Sequence, residues 1–255
     1  MDRPPAVILD LYSSWLCVGQ AGDERPQCKQ DYEPGVLNGQ GGIISFTALQ
    51  ALLSGALAAQ GLSLEDRDVA IVLRDVEQRV ELAAMVFQMG AEAITFLDPR
   101  CVVIALTVGM TSGVVVDCFA SCRRVTCVYE GCILAQSQRT FPAGGMWPSA
   151  ALIMESVQSV DAAVHQDLWA CVALIGECAP SVDVLKLKSD LTQCHDQAVH
   201  VVPFAESSLA AFSAASSVFS LRTCNDWQTY VRRGEWEAAS AGPDAFKGKT
   251  FSMDS

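Results

Sequence analysis

Two short apolar runs in the chain each end on an aspartate. The first is residues 7–10, Val-Ile-Leu-Asp, and the second is residues 114–117, Val-Val-Val-Asp. A four-residue turn follows each aspartate, and an alternating run then ends at Gly19 in the first case and at Gly131 in the second. This pattern predicts a strand, a tight turn and a returning strand. Its repetition predicts a duplicated fold whose halves face each other.

Between and after these hairpins, helical periodicity alternates with short apolar runs. Helices are predicted at 45–60, 77–89, 99–108, 150–156, 161–169, 182–193 and 207–221, and strands at 69–73, 93–97, 171–175 and 198–202. Ser45 and Asp161 are suitable N-caps for two of the helices. Residues 19–42 and 133–150 carry few structural signals beyond Gly and Pro, and 226–236 predicts a short helix and turn. The alternation of strands and helices indicates an α/β protein.

Composition narrows the class of protein. Of the 255 residues, 51% are hydrophobic and only 18% are charged, which is typical of a folded chain with a real core. The net charge of −12 argues against binding to nucleic acid or to anionic lipid. The longest uncharged run, residues 101–116, is short for a membrane span and contains glycines. We therefore expect a soluble protein without membrane insertion.

Four of the eleven cysteines lie close enough in the sequence to be considered as metal ligands: Cys118, Cys122, Cys127 and Cys132. Three, four and four residues separate them, without a Cys-x-x-Cys pair. The alternation of a hairpin would point the four side chains to different faces. We therefore expect reduced thiols buried as small hydrophobic side chains and no metal site.

The paired hairpins resemble the two phosphate loops of the actin superfamily. Residues 19–23, Gly-Gln-Ala-Gly-Asp, and 128–131, Val-Tyr-Glu-Gly, are close to actin itself. Residues 98–118 are most similar to the divergent actin-related subunits at the pointed end of dynactin, and residues 22–28 and 64–72 agree with that choice. The resemblance covers most of 6–243 and is strongest at 64–131.

The resemblance implies an actin-like fold, which is a duplicated ribonuclease H-like α/β fold with two facing core domains. The first domain would comprise 1–108 with 222–255, and the second 109–221. Actins carry an outer lobe in each half. Because the segments 19–42 and 141–150 leave no room for such insertions, both outer lobes are expected to be missing or vestigial.

The family also implies a nucleotide cleft, of which this chain would keep a remnant at Asp10, Ser13, Ser14, Asp117, Ser121 and Gly176. In the family the two aspartates hold the Mg²⁺ shell, while glycine amides and a lysine contact the phosphates. In the first turn, Tyr12 and Ser14 stand at glycine positions and Cys17 replaces the lysine.

The second turn departs from the family in the same way. Phe119 and Ser121 stand at glycine positions, Ala120 at a carboxylate position, and Arg100 where a glutamine orients water. Tyr12 and Phe119 would fill the phosphate volume, so we expect no ATPase activity and no bound cofactor. Asp at a strand–turn junction also commonly accepts N–H bonds from its own turn, and we prefer this role for both aspartates.

The resulting hypothesis is a non-catalytic structural subunit of the cytoplasm and cytoskeleton. It would cap the actin-like filament at the dynactin pointed end, beside other pointed-end proteins, and so support dynein-based microtubule transport. The alternatives are a pseudo-actin of an axonemal dynein complex or a chromatin remodeller, and a working nucleotide-binding ATPase. Candidate partner-binding anchors are the aromatic residues Trp147, Trp227, Tyr230 and Trp236, for which core packing is the alternative.

Overall fold

The computed structural model describes residues 4–12, 15–37, 42–73, 78–108 (backbone alone at 105–108), 110–119, 123–141, 149–194, 199–203, 207–220, 230–239, 242 and 245. The chain divides into two compact units. The first contains Met1–Pro99 and resumes at Ala211, and the second contains Arg100–Ala210. Each unit is built on one mixed β-sheet, so the protein is an α/β protein with two domains.

Six strands form the sheet of the first unit: β1 (Val7–Asp10), β2 (Trp15–Gln20), β3 (Cys28–Asp31), β4 (Asp68–Val72), β5 (Ala93–Leu97) and β12 (Val231–Arg232). Their order across the sheet is β12-β5-β4-β1-β2-β3. The first three strands form an antiparallel meander, whereas β4 and β5 run parallel to β1. All residues of β1 and β5 are buried, which explains why these strands are continuous apolar runs rather than alternating ones.

Two helices cover one face of this sheet, α1 (Phe46–Ala59) and α2 (Arg79–Gln88). The Ser45 hydroxyl accepts the Ala48 N–H at 3.2 Å, which confirms the predicted N-cap. Gly61 follows the end of α1 with a φ of +63°, a left-handed conformation suited to glycine. The predicted apolar stripe of α1 is confirmed at Leu49 and Leu53, which are fully buried in the core with the strands.

The sheet of the second unit also has six strands: β6 (Gly113–Cys118), β7 (Arg123–Tyr129), β8 (Cys132–Ile133), β9 (Arg139–Phe141), β10 (Val172–Ile175) and β11 (Val201–Pro203). The order is β11-β10-β6-β7-β8, and β9 also pairs with β7. As in the first unit, the first strand has an antiparallel hairpin partner on one side and two parallel strands on the other. Asp10 and Asp117 therefore occupy corresponding ends of the first strand in two sheets of the same order.

Helices α4 (Ala150–Gln158), α5 (His165–Trp169) and α6 (Val184–Cys194) contribute to the core of this unit. Ile153, Leu168 and Leu191 are fully buried there against the apolar face of β6 and β10. The expected single helix from Asp161 is wrong. Asp161 caps only a 3₁₀ turn through its 2.9 Å bond from the Ala163 N–H, and α5 begins after that turn.

The division between the units differs from the boundaries expected at 108 and 221. Helix α3 (Pro99–Val108) joins the second unit from Arg100, and a Cβ on Gly113 would lie 2.8 Å from Ile104 Cδ1. Helix α7 (Ala210–Ser220) joins the first unit from Ala211. There the Ser216 hydroxyl donates to the Asp23 carbonyl at 2.7 Å, and a Cβ on Gly19 would lie 2.7 Å from Phe212 Cζ. These contacts are nonlocal, so periodicity could not assign the helices to a unit.

Polar edge strands were missed by the sequence interpretation. The polar segment after Gly19 contains β3, the segment after Gly131 contains β8 and β9, and residues 231–232 form β12 rather than a helix. Each of these strands exists through backbone pairing with a better-defined neighbour and has a weak apolar pattern of its own.

The chain returns to the first unit through β12 and α8 (Arg233–Ala238). The Arg233 guanidinium donates to the carbonyls of Gly90 and Ala91, with Nε 3.0 Å from the Ala91 oxygen. Gly90 and Ala91 follow the end of α2, so the Arg233 side chain ties this return of the chain to the α2–β5 connection. Among the helices of the described residues, none is long and apolar enough to cross a membrane.

Candidate functional site

The carboxylate at the end of β1 is held inside the first unit. Asp10 is 0% exposed, and its Oδ1 accepts the Tyr12 N–H at 2.9 Å. This is the turn-stabilising role that the sequence suggested for an aspartate at a strand–turn junction. The Tyr12 side chain is itself buried, so an aromatic ring adds to the apolar interior immediately after the carboxylate.

A cross-strand row starts at Asp10. Asp10 is opposite Cys17 on β2, and Cys17 is opposite Lys29 on β3, so the three side chains share one face of the sheet. Burial, and then the Asp10 charge, raise the pKa of the Cys17 thiol far above its ordinary value, and Lys29 opposes the shift. The thiol is therefore neutral. The Lys29 ammonium lies 3.3 Å from the Trp15 ring centroid in a cation–π contact.

Tyr32, which follows β3, is a second tyrosine near Asp10, after Tyr12. Burial raises the pKa of its hydroxyl well above the ordinary value, and Asp10 and Cys17 raise it further. The Tyr32 hydroxyl oxygen is buried, which places it among the groups that exclude water near Asp10. The polar neighbourhood of Asp10 therefore consists largely of neutral thiol and phenol groups rather than of phosphate-binding cations.

The carboxylate at the end of β6 has different neighbours. Asp117 is 1% exposed and stands opposite Arg124 on β7, so a carboxylate and a guanidinium share one face of the sheet. Arg124 Nε also donates to Thr140 Oγ1 at 3.3 Å. Thr126, two residues along β7 on the same face, accepts a 3.3 Å bond from Nη1 of the buried Arg100. Arg124 therefore lies on the same face of the sheet as Asp117, and Arg100 reaches that face through Thr126.

Gly176, after β10, supports the turn that follows Asp117. Its φ is +102°, and a Cβ there would lie 2.7 Å from the Cys118 carbonyl oxygen. The Cys178 N–H donates to that same oxygen at 2.8 Å. The Gly176 N–H donates to the Ser207 carbonyl at 2.9 Å, while the Ser207 hydroxyl donates to the Gly176 carbonyl at 2.8 Å. Glycine is needed here for close backbone approach.

These bonds have a consequence for anion binding. A phosphate cradle needs several backbone N–H groups pointing at the ligand. The Tyr12, Gly176 and Cys178 N–H groups donate to the protein itself. Phe119, expected to fill the phosphate volume, is 3% exposed. The described parts of both turns are thus organised for internal packing.

Not every candidate residue can be placed in the structure. Ser13, Ser14, Ser121, Trp147 and Trp227 lie outside the described residues.

Two of the proposed partner-binding aromatics can be placed. Trp236 is wrong as an exposed anchor: it is 4% exposed in the first core, with its ring centroid 5.6 Å from that of Phe87. Core packing, the stated alternative, accounts for it. Tyr230 is half-buried, and its ring meets Phe219 edge-on at 5.8 Å.

The cysteine cluster differs in part from expectation: Cys132 is only half-buried, and Cys122 lies outside the described residues. Cys118 and Cys127 are fully buried in the second core as small hydrophobic side chains, as predicted. They lie on the same face of the sheet rather than on different faces, because Cys127 is opposite Val114, four residues before Cys118. Four residues of strand separate the two thiols by about 13 Å. Within the part of the chain that the structure describes, no group of three or more His, Cys, Asp or Glu side chains could hold a metal ion.

Sequence reasoning missed Lys29, Tyr32 and Arg124 as neighbours of the two carboxylates. Strand register brings Lys29 and Arg124 into these positions, and Tyr32 follows directly after β3, whose register could not be inferred from a segment with so weak a pattern. No protein-family model matches the sequence and no curated protein matches it, so inference about function depends on the fold and on these two turns.

Proposed function

We propose that this chain is a non-catalytic, actin-related structural subunit that binds an actin-like neighbour in a larger assembly. The resemblance in residues 64–131 supports the family. The topology supports it as well. A three-stranded meander beside two parallel strands is the strand order of the ribonuclease H-like fold, and it occurs twice in this chain. Actin-like proteins are built on such a duplication.

One observation supports a non-catalytic role above all. The aspartates stand where the family holds Mg²⁺, but the Gly176 N–H, which would be available to a ligand in an open loop, donates to the Ser207 carbonyl. ATP hydrolysis depends on positioned phosphates, a metal and an oriented water. Tyr12, Cys17 and Phe119 supply neither a cation nor open space for those phosphates.

The assembly we propose is the pointed end of dynactin, where the chain would terminate the actin-like filament and so support dynein-based transport. The similarity of residues 98–118 to that group of subunits is the basis for this choice. A chain without outer lobes would suit a terminal position, because a terminal subunit contacts the filament on one side only.

Affinity purification of the tagged chain from cells, followed by mass spectrometry, tests the assembly. Recovery of the other dynactin subunits at near-equal amounts supports the proposal. Recovery of axonemal dynein or chromatin-remodelling subunits in their place would overturn it.

Thermal-shift titration with Mg-ATP and Mg-ADP tests the non-catalytic assignment. A ligand that binds only the folded state adds about 2.7 kcal/mol of stability at one hundred times its Kd. We expect no rise in Tm at millimolar nucleotide. A rise that disappears in Asp117→Ala would mean that the cleft binds nucleotide and that the assignment is wrong.

A further inference from the structure

A surface pocket of about 340 Å³ lies in the second unit, at the start of β6 and the end of β7, whereas Asp117 lies near the end of β6. It is lined by Met110, Thr111, Ser112, Tyr129, Glu130, Asp167 and Ala170. These residues come from the segment before β6, the β7–β8 turn and the end of α5. Nothing in the proposed nucleotide-cleft remnant accounts for this pocket.

Two hydrogen bonds hold the β7–β8 turn against the segment before β6. The Gly131 N–H donates to the Thr111 carbonyl at 2.8 Å, and the Glu130 N–H donates to the Ser112 hydroxyl at 3.0 Å. Glu130 and Gly131 form a two-residue hairpin turn with φ values of +50° and +77°. Such turns favour Asn-Gly or Gly-Gly, so glutamate is an unfavourable residue at the first position. The turn nevertheless holds an exposed carboxylate at the rim of the pocket.

The wall of the pocket combines apolar surface with negative charge. Met110 is 40% exposed, which is unusual for a large apolar side chain in this protein. Tyr129 is half-buried beside it, and the carboxylates of Glu130 and Asp167 are exposed. Glu130, Asp167 and Tyr129 line the same pocket, and Glu130 first, then burial, then Asp167 raise the pKa of the Tyr129 hydroxyl. Across the described residues, neither carboxylate has an ion pair or side-chain hydrogen bond.

We propose that this pocket receives an arginine side chain from a segment of a partner protein. A guanidinium is flat, stacks on an aromatic ring and donates to two carboxylates at once, which matches a pocket lined by Tyr129, Glu130 and Asp167. The aliphatic part of the arginine side chain would cover Met110. The net charge of −12 adds a general attraction for basic segments. This proposal holds whether or not the partner is actin-like.

The test uses the full chain with [methyl-¹³C]methionine and the peptide acetyl-Ala-Arg-Ala-amide. Met110→Leu assigns the Met110 methyl signal. We expect that signal to shift and saturate at millimolar peptide, whereas the peptide with citrulline in place of arginine, which has nearly the same shape and no charge, should have little effect.

A matched pair of variants separates the pocket from general attraction. Glu130→Gln with Asp167→Asn should weaken the apparent affinity about five-fold, since each partly exposed ion pair contributes modestly. Glu65→Gln with Glu237→Gln removes the same charge from exposed positions of the first unit and should change the affinity less than two-fold. Melting curves of all variants check that they fold, and each single substitution is measured as well.

Three results would overturn the proposal: no saturable shift of Met110 with the arginine peptide, equal binding of the citrulline peptide, or equal weakening in the two double variants. None of these results concerns nucleotide binding or co-purification with dynactin, so the pocket and the proposed function fail separately.

Discussion

The two sheets place an aspartate at the same point and surround it differently. Asp10 is opposite Cys17, a neutral thiol, whereas Asp117 is opposite Arg124, a cation. Strand order fixes where the carboxylate lies, because the first strand of each sheet ends there. The cross-strand neighbour fixes its electrostatic environment. A shared topology therefore does not imply a shared chemistry, and each turn has to be judged from its own contacts.

The two units also differ at the residue that follows the parallel strand beside each aspartate-bearing strand, β4 beside β1 and β10 beside β6. In the first unit it is Leu73, 6% exposed, whose N–H donates to the Leu97 carbonyl at 3.1 Å. In the second unit it is Gly176, which lies against the Cys118 backbone. The first position is filled by a core side chain, whereas the second excludes any side chain. The second turn thus depends on close backbone contact more than the first does.

The largest effect is expected at Gly176. Gly176→Ala forces an L-residue to a φ of +102° and places its Cβ 2.7 Å from the Cys118 carbonyl oxygen, so we expect a loss of about 3 kcal/mol in urea unfolding. Gly61→Ala is the control, since Gly61 has a φ of +63° and a Cβ there would contact nothing within 4 Å. It should lose about 1 kcal/mol. Equal losses would show that close backbone approach is not what Gly176 provides.

The second prediction addresses the two carboxylates directly. Asp117→Asn removes the charge opposite Arg124 and should reduce stability by about 1 kcal/mol, since a cross-strand charge pair contributes up to about that much. Asp10→Asn keeps an acceptor for the Tyr12 N–H, and the opposite residue Cys17 is a neutral thiol that loses no ion pair, so its loss should stay below about 0.5 kcal/mol. Urea unfolding at pH 7 measures both.

A double-mutant cycle sharpens this second comparison. Asp117→Asn combined with Arg124→Gln should recover part of the loss, with a coupling of about 0.5–1 kcal/mol typical of a cross-strand charge pair. If Asp10→Asn lowers the free energy of unfolding as much as Asp117→Asn does, the different cross-strand neighbours of the two aspartates do not affect stability.

Much of this fold follows from local patterns. The two hairpins, the buried strands and the cap at Ser45 were predictable because apolar periodicity and capping are encoded within a few residues. Strand β3 and the unit to which α7 belongs were not, because β3 exists through pairing with β2 and α7 is held through Ser216 and Phe212. Such contacts join residues far apart in sequence.

Some residues of the candidate site could likewise be predicted from local sequence, and others could not. The aspartates and the large residues in their turns are visible in the sequence. The charged residues in the cross-strand rows of the two aspartates, Lys29 in the first unit and Arg124 in the second, follow from strand register. Trp236 was predicted as a possible surface anchor because aromatic residues favour both interfaces and cores, and only packing against Phe87 separates the two.

The last comparison of the two units uses the pH dependence of stability that their buried thiols cause. Burial raises the pKa of Cys171 in the second unit from 9.0 to about 11. The unfolded thiol ionises first as pH rises, so its contribution to stability is complete below pH 9 and is lost between pH 9 and 11. At pH 10 the loss should be about 1.4 kcal/mol. Cys171→Ala should therefore flatten the fall of unfolding free energy between pH 8 and 11.

Cys17 in the first unit provides the contrast. Its pKa is raised further than that of Cys171, first by burial and then by Asp10, so its contribution should continue to fall above pH 11, where that of Cys171 levels off. Asp10→Asn should bring the two profiles closer together, because it removes the negative charge that opposes the Cys17 thiolate. A Cys17→Ala difference profile that is the same in the wild type and in Asp10→Asn would mean that Asp10 has no electrostatic influence on its cross-strand neighbour.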